Sequence, residues 1–474
     1  MSFLSLILPI AFSLIFIHLI WPSHKVFNSQ MAIKLFLSVG LGLGISSLSY
    51  WSFLMICGSY NGFSIMLEVT ILIALIGACA IILLRTRHKN FGNKQFSKNR
   101  IENEDILIWK KIPLLSTGFW MGIICSILLF IIRSLNSPHG SWDAWAIWNM
   151  RARFLYRCQE HWIDAFSSTY PHTDYPLLIP ANISRIWNYI GSENIYVPMI
   201  VAFLFTFSTI GLIVSSMIFI KNRNHGYLTG LILLSIPFFI IQGAGQIADI
   251  PFGFFVLSTI VLFFLKDKLP EKSAGFYFLA GIMIGLSAWT KNEGLLLILI
   301  VLFSHFVVTI FQKGWTSYLK EMVPLLAGLL PLLIITVQFK MRLNVSNDLV
   351  SERNFESMVN LLLDHNRYLV VGKSYLSYLN RKFLFIIIII PIMFKVLKLS
   401  GDRKYKASST ISFLIIFLLL SGYYMIYIIS PHDLEWHLKT SLSRLYLQVM
   451  PSIIFVFFAV VNTIEKNNQE MKRT

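Results

Sequence analysis

Residues 113–153, PLLSTGFWMGIICSILLFIIRSLNSPHGSWDAWAIWNMRAR, contain the pattern that decides the fold of this chain. The first part is an apolar run of the length that an α-helix needs to cross a bilayer, about 20 residues. The second part is a polar segment in which Asp143 has tryptophans and arginines as close neighbours, namely Trp142, Trp145, Trp148, Arg151 and Arg153. Tryptophan suits the headgroup region of a membrane, arginine suits a phosphate, and a carboxylate can accept a proton. We therefore predict a transmembrane helix that leads into a site at the membrane surface.

The composition of the whole chain extends this prediction. Of its 474 residues, 56% are hydrophobic and 13% are charged, whereas soluble domains carry about 25% charged residues. The mean hydropathy is +0.67. These values exclude a soluble globular protein and predict an all-α, polytopic bundle of transmembrane helices. We predict about thirteen spans, at 3–21, 33–57, 65–84, 113–133, 196–220, 227–242, 250–265, 275–290, 295–311, 322–339, 384–397, 409–429 and 446–462.

The distribution of lysine and arginine predicts the orientation of the bundle. The connection at 85–112 is rich in both, which places it in the cytoplasm by the positive-inside rule. Counting crossings from there puts five polar clusters on the outer face: 134–195, the turn around Asp249, 291–294, 340–383 and 430–445. The formal net charge of +17 is then a topology signal and an attraction to anionic membrane lipids, and we expect no nucleic acid as a partner.

No cofactor or metal signature is recognisable in the sequence. The four cysteines, Cys57, Cys79, Cys125 and Cys158, have no spacing typical of a disulfide framework or a metal site. A phosphate-binding loop and a dinucleotide fingerprint are also missing. We therefore expect no cofactor; a divalent metal is conceivable but not indicated.

Each polar cluster has a structural explanation beside the functional one. Asp143 could act as a base, or it could only occupy the first turn of an interfacial helix, where the helix dipole favours an acid. Tyr175 lies in a segment, 172–180, that could line the same cavity or only form a turn. Asp249 precedes Ile250 and Pro251, so it could be a helix N-cap or a site residue. The sequence leaves these alternatives open.

Two further clusters lie at predicted helix ends. The turn with Lys291 and Glu293 confines two charges between apolar spans, which favours a function, although Lys291 could also extend along the membrane surface. The segment 432–444 contains Asp433, His437 and Arg444. It could hold a metal, bind a phosphate or sugar, or be a solvated helix next to the membrane. We favour a phosphate or sugar site.

These residues together resemble a known superfamily. Residues 141–143 (Ser-Trp-Asp), 175–177 (Tyr-Pro-Leu), Asp249 before a short span and the turn 290–291 (Thr-Lys) are similar to motifs of GT-C membrane glycosyltransferases, in the branch of protein O-mannosyltransferases and aminoarabinose transferases. The resemblance implies a bundle of GT-C type with extracytoplasmic interfacial helices. It covers about 113–465 as a catalytic module, preceded by an addition of three spans and a basic connection (1–112) and followed by a cytoplasmic tail (466–474). One departure is Ala144, where that branch has a second acid. It weakens the transfer of acceptor contacts and of a two-carboxylate metal role, but not that of the base.

The resemblance implies a function. Such enzymes move a monosaccharide from a polyprenyl-phosphate donor to a hydroxyl of a cell-envelope acceptor, which can be a glycan, a lipid or a protein. It implies a multi-pass protein of the cell (inner) membrane with an extracytoplasmic active site, and Asp143 as general base. The implied phosphate partners are Arg151, Arg153, Lys291 and Arg444, and the implied sugar-stacking rings are Trp142, Trp145 and Tyr175. The other expected substrate contacts are Asp249, Glu293, Asp433 and His437.

Other functions remain as alternatives. A lipid or glycan transporter would place ionisable groups near the middle of the membrane, whereas Glu68 is almost the only acid within a predicted span and lies near its end. An O-antigen-ligase-like transferase would also use outer arginines and a lipid-linked donor, but it would transfer a whole glycan from a diphosphate. The sequence favours a transferase and does not separate these two kinds.

The predicted orientation can be tested by labelling. After the native cysteines are replaced by serine, a cysteine at Gly92 should be protected from an impermeant thiol reagent in intact cells, because the basic connection is cytoplasmic. A cysteine at Ser168 should be labelled. The reverse pattern would contradict the orientation, since the candidate site would then face the cytoplasm.

Overall fold

The computed structural model describes residues 2–22, 29–91, 113–167, 169–170, 172–343, 355–397, 399 and 403–462. Within these ranges the chain is almost entirely helical, and the one strand-like contact is an isolated bridge between Leu399 and Val461. The predicted all-α membrane bundle is therefore confirmed. The labelling positions Gly92 and Ser168, and residues 344–354 of the predicted outer loop 340–383, lie outside the described ranges.

The α-helices of the described chain are numbered in order. The first nine are α1 (Ser2–Ile20), α2 (Ser29–Cys57), α3 (Gly62–Phe91), α4 (Pro113–Asn136), α5 (Asn149–Cys158), α6 (Leu178–Ile190), α7 (Tyr196–Ile220), α8 (Arg223–Leu234) and α9 (Pro237–Ala244). The others are α10 (Asp249–Lys268), α11 (Ser273–Ala288), α12 (Glu293–Lys313), α13 (Trp315–Leu343), α14 (Phe355–Leu363), α15 (His365–Leu397), α16 (Lys406–Ile429) and α17 (Leu434–Val460). Shorter helical turns are Ala144–Trp148, Gln159–Phe166, Pro270–Lys272 and Arg403–Tyr405.

The described helices include ten that are long and apolar enough to cross a membrane, or eleven spans if the bent pair α8 and α9 is one of them. The bend of 66° lies directly before Pro237, which cannot donate the backbone hydrogen bond that would continue α8. The predicted spans at 275–290 and 384–397 fall on α11, which has 16 residues, and on the second half of α15. Both regions are helical, and the number of thirteen spans stays a prediction.

Helix α10 lies at the centre of the bundle. All residues from Asp249 to Lys266 are buried, as expected for a helix that is hydrophobic on every side. It packs against α7, α11 and α17. The contact with α17 is very close, because a Cβ on Gly253 would lie 2.8 Å from the carbonyl oxygen of Gln448. Gly253 therefore permits α17 to approach α10 one helical turn from Asp249.

The first helices are joined to the rest of the bundle by a buried ion pair. Glu68 of α3 accepts hydrogen bonds from Nε of Arg185 in α6 at 2.9 and 3.0 Å, and the two side chains are 3% and 1% exposed. The hydroxyl groups of Tyr60 and Tyr189 also donate to Glu68. Arg185 in turn donates to the carbonyl oxygen of Ser5 in α1. These contacts tie α1 and α3 to α6, and the division of the chain at residue 112 stays a prediction.

Removing one partner of this pair should destabilise the protein more than removing both. A buried charge left without its counter-ion typically costs about 3–5 kcal/mol, whereas an apolar pair of similar volume is often tolerated. We expect the unfolding temperature in detergent to fall in Glu68→Met and in Arg185→Met and to recover in the double variant. Tryptophan fluorescence recorded during heating measures this unfolding temperature. Additive losses in the double variant would contradict a coupled, buried pair.

Candidate active site

The polar clusters predicted to share one face meet at one end of the bundle. Side-chain contacts join Asp143, in the segment after α4, to Arg444 of α17, and join Asp249, at the start of α10, to Lys291 in the turn before α12. The residues of the first pair are 301 positions apart in the sequence. The fold thus assembles one polar site from segments that are remote in the chain.

Five charged side chains form a continuous row in this site. Arg444 pairs with Asp143, and its terminal guanidinium nitrogen lies 3.9 Å from Oδ2 of Asp249. The Nζ atom of Lys291 lies 3.1 Å from Oδ1 of Asp249 and 2.7 Å from Oε1 of Glu293. Carboxylates and cations therefore alternate along the row.

Burial differs sharply along this row. The side chain of Asp143 is 26% exposed, that of Glu293 16% and that of Asp249 4%. Asp143 is therefore the acid most open to a substrate, while Asp249 is enclosed by its partners. The N-cap explanation of Asp249 is wrong, because Ala248 holds the N-cap position of α10 and no side chain caps this helix.

Lys291 is held in a tight turn between α11 and α12. A Cβ on Gly294 would lie 2.3 Å from the backbone nitrogen of Ala288, so glycine is required where the two helices meet. Burial alone would lower the pKa of Lys291, but the carboxylates of Asp249 and Glu293 outweigh burial and raise that pKa above its usual value. Lys291 is therefore a fixed cation at neutral pH.

Asp143 is presented by an irregular helical segment. The residues that follow it, Ala144–Trp148, form a π-helical turn, a feature frequent at functional sites. The backbone N–H and the hydroxyl of Ser141 both donate to the carbonyl oxygen of Gly245, at 3.0 and 3.2 Å. The Asp143 side chain makes no capping bond to the helix. Its carboxylate is instead directed at Arg444.

Several residues of the site carried no clear signal in the sequence. Asn292 donates to Oδ2 of Asp174 at 2.6 Å, and Lys340 of α13 donates to Oδ1 of Asn292 at 2.7 Å. These bonds join the segment before α6 to the turn before α12 and to α13, beside Lys291. Gln448 donates from Nε2 to Asp249 at 2.5 Å. Its one signal is that it lies four residues after Arg444, a spacing that places both on one face of α17.

Tyr175 and Arg151 both contact other residues of the site. The ring of Tyr175 is stacked with those of Trp148 and His172, with centroid distances of 5.3 and 4.8 Å. Tyr175 is partly buried, and the stacking of a sugar on its ring stays a prediction. Arg151 is 1% exposed and donates to the carbonyl oxygens of His172 and Tyr175 at 2.9 and 3.3 Å. It holds this turn, and its guanidinium is not open to a phosphate.

Three other predicted residues lie at the rim of the site. Trp142 and Trp145 beside Asp143 are 65% and 57% exposed, which suits interfacial rings. Arg153 contacts Nδ1 of His139 at 3.0 Å and lies 3.8 Å from Glu193. The structure therefore does not join Arg153 to the charged row.

The two remaining predicted residues lie at the start of α17. Asp433 is the N-cap of this helix and accepts a hydrogen bond from the backbone nitrogen of Trp436 at 2.8 Å. His437 is hydrogen-bonded through Nδ1 to the hydroxyl of Ser430 at 2.8 Å. Within the part of the chain that the structure describes, no group of three or more His, Cys, Asp or Glu residues could hold a metal ion. The metal interpretation of 432–444 therefore has no support from this geometry.

Comparison with known proteins gives one match. No curated protein and no solved structure shows significant similarity to the chain. Residues 174–339, which include Tyr175, Asp249, Lys291 and Glu293, match a protein-family model. That family is described as dolichyl-phosphate-mannose-protein mannosyltransferase and is part of the GT-C superfamily. The match confirms the predicted resemblance to GT-C glycosyltransferases over this part of the multi-pass chain.

Proposed function

We propose that this chain transfers a monosaccharide from a polyprenyl-phosphate donor to a hydroxyl of a cell-envelope glycan, lipid or protein. The observation that carries the proposal is the row of charges, in which the exposed Asp143 lies beside Arg444 and Lys291, two cations gathered by a buried acid. Transfer from a lipid phosphate needs a base for the acceptor and cations for the leaving group. The matched family acts on donors of this class.

Asp143 is the proposed general base, because it is the most exposed acid of the row. The hydroxyl oxygen of the acceptor attacks the anomeric carbon of the sugar and gives its proton to Asp143. The bond between the anomeric carbon and the phosphate oxygen breaks, and its electron pair leaves with the polyprenyl phosphate. Arg444 and Lys291 stabilise the charge that develops on that phosphate.

The charge balance of the row indicates how the donor engages it. Three carboxylates (Asp143, Asp249 and Glu293) and two cations (Lys291 and Arg444) give a net charge of −1 when all are ionised. A donor phosphate adds negative charge and must compete with Asp143 for Arg444. Lys291 is held from two sides, whereas Arg444 is 22% exposed and can reorient. Donor binding would thus draw Arg444 from Asp143 and leave that carboxylate ready to accept a proton.

We place the site on the outer face of the cell (inner) membrane. The basic connection at 85–112 supports this orientation. Nucleotide sugars are absent from that side, which accounts for a lipid-linked donor. The exposed rings of Trp142 and Trp145 would lie among the headgroups of the surrounding lipids.

The two rival functions differ in their support. A transporter needs ionisable groups that can change partners within the membrane, but Glu68 is enclosed with Arg185, Tyr60 and Tyr189 in a buried network. This disfavours a transporter. An O-antigen-ligase-like transferase would use the same kinds of side chains, and only the size of the transferred group separates it from our proposal.

The cations can be tested by substitution. Arg444→Ala and Lys291→Ala should each reduce use of the donor by about 10- to 100-fold, because a charge-assisted hydrogen bond to phosphate contributes about 1.5–3 kcal/mol. Arg157→Ala is a matched control, since Arg157 is 61% exposed and pairs with Glu193 away from the row. Turnover is measured on equal amounts of protein that elutes as wild type in size-exclusion chromatography. Full turnover in both variants would remove these cations from the site.

The base can be tested separately from donor binding. Asp143→Asn cannot accept a proton at neutral pH, and loss of a general base costs about 10²- to 10⁴-fold in rate. We expect sugar transfer to collapse while affinity for a polyprenyl phosphate is kept or increased, because the carboxylate that competes for Arg444 is gone. Asp143→Glu should keep a little activity. Near wild-type transfer by Asp143→Asn would show that the base is elsewhere, with Asp249, Glu293 and Asp433 as the next acids to examine in that order.

A further inference from the structure

Gln448 and Tyr423 contact the centre of the charged row without belonging to it. We propose that Gln448, completed by Tyr423, is a positioning residue that holds Asp249 between Lys291 and Arg444 and so keeps both cations directed at the donor phosphate. This inference rests on the proposed function, because it assumes that a phosphate is what the two cations bind.

The geometry around Asp249 supports this role. Its Oδ1 atom accepts from Nζ of Lys291 at 3.1 Å and from Nε2 of Gln448 at 2.5 Å, while Oδ2 lies 3.9 Å from Arg444. Gln448 and Tyr423 are both fully buried, and Asp249 is 3% exposed. Without the amide, the carboxylate could rotate toward one cation and release the other. Gln448 therefore fixes the rotation of the acid that gathers both cations.

The amide has one orientation that satisfies its surroundings. A carboxylate only accepts hydrogen bonds, so Gln448 must present its Nε2 to Asp249. The Oε1 atom then faces away and accepts from the hydroxyl of Tyr423 in α16 at 2.5 Å. In the reversed orientation, Oε1 would face the Asp249 carboxylate without a hydrogen between them. Tyr423 thus completes a chain of bonds from α16 through α17 to α10.

The backbone also supports a specific role for Gln448. The missing side chain of Gly253 allows the backbone of Gln448 to come close to α10, and this places its amide within reach of Asp249 one turn away. Gln448 and Arg444 lie on the same face of α17, four residues apart. Helix α17 therefore supplies both a cation of the row and the residue that orients the central acid.

A neutral amide is important because the row already has a net negative charge. An ionised glutamate at position 448 would face the carboxylate of Asp249 from α17. The other charged or titratable groups around it are Lys291 and Glu293 in the adjacent turn, Arg444 on the same helix and Tyr423 on α16. It would compete with the phosphate for both cations. A protonated glutamate has the shape of glutamine, donates to Asp249 and accepts from Tyr423. Gln448→Glu should therefore bind the donor phosphate at low pH and lose this binding at high pH.

The experiment measures binding of a synthetic polyprenyl monophosphate to detergent-solubilised wild type and Gln448→Glu over a range of pH, by fluorescence titration. Each variant affinity is divided by the wild-type affinity at the same pH, which cancels the ionisation of the phosphate and of groups whose pKa the substitution leaves unchanged. We expect Gln448→Glu to bind about as well as wild type at the acidic end and at least 10-fold more weakly at the alkaline end.

Three variants serve as comparisons. Gln448→Met lacks the hydrogen bonds but adds no charge, so it should bind about 10-fold more weakly at every pH. Tyr423→Phe should bind about 2- to 10-fold more weakly, which corresponds to the loss of one neutral hydrogen bond. Ser452→Ala is a matched control one turn further along α17, because the buried Ser452 hydroxyl makes no hydrogen bond to the described residues. It should bind as wild type does.

The outcomes separate this inference from the proposed function. Binding by wild type together with a pH-independent ratio for Gln448→Glu would overturn the positioning role alone. A lack of binding by wild type would overturn the proposed donor class and this inference with it. Reduced binding by Gln448→Glu that recovers at low pH, with Ser452→Ala unchanged, would support both.

Discussion

The site depends on the buried carboxylate of Asp249. Burying a charge costs several kcal/mol unless it is paired and hydrogen-bonded, and Asp249 meets this requirement by contacts with Lys291, Arg444 and Gln448. These partners come from a helix-connecting turn and from α17. Because the buried carboxylate of Asp249 must be paired, it brings the two cations Lys291 and Arg444 close together. Because Asp249 is enclosed and Asp143 is partly exposed, we propose different roles for the two acids: Asp249 holds the cations and Asp143 acts on the substrate.

Much of the fold could be predicted from the sequence, because membrane helices must be both long and apolar. All thirteen predicted spans fall on helical regions of the described chain. The deviations have local causes. Pro237 divides one predicted span into a bent pair of helices, and α11 is short. In α15, a polar half precedes the apolar half that was predicted as a span. The π-helical turn after Asp143 is a local departure from the α-helix that hydropathy does not predict.

The residues of the site could be predicted where a charged side chain lies next to an apolar span. Asp143, Asp249, Lys291, Glu293 and Arg444 stand out because they lie next to apolar spans, and the structure joins them in one row. Composition could not predict which neighbours they contact. Arg151 holds a loop, Asp433 caps a helix, and Tyr175 stacks with Trp148 and His172. Gln448 and Asn292 were missed because a single neutral amide has no pattern in the sequence, and its role follows only from tertiary contacts.

The proposed reaction transfers one monosaccharide from a lipid phosphate to an envelope acceptor. Mass spectrometry of the cell-envelope glycans, glycolipids and glycoproteins, compared between cells with and without this chain, tests it most directly. We expect one component to lose the mass of a single monosaccharide while its remaining structure is unchanged. Identical envelopes, or the loss of a whole glycan from its acceptor, would contradict it.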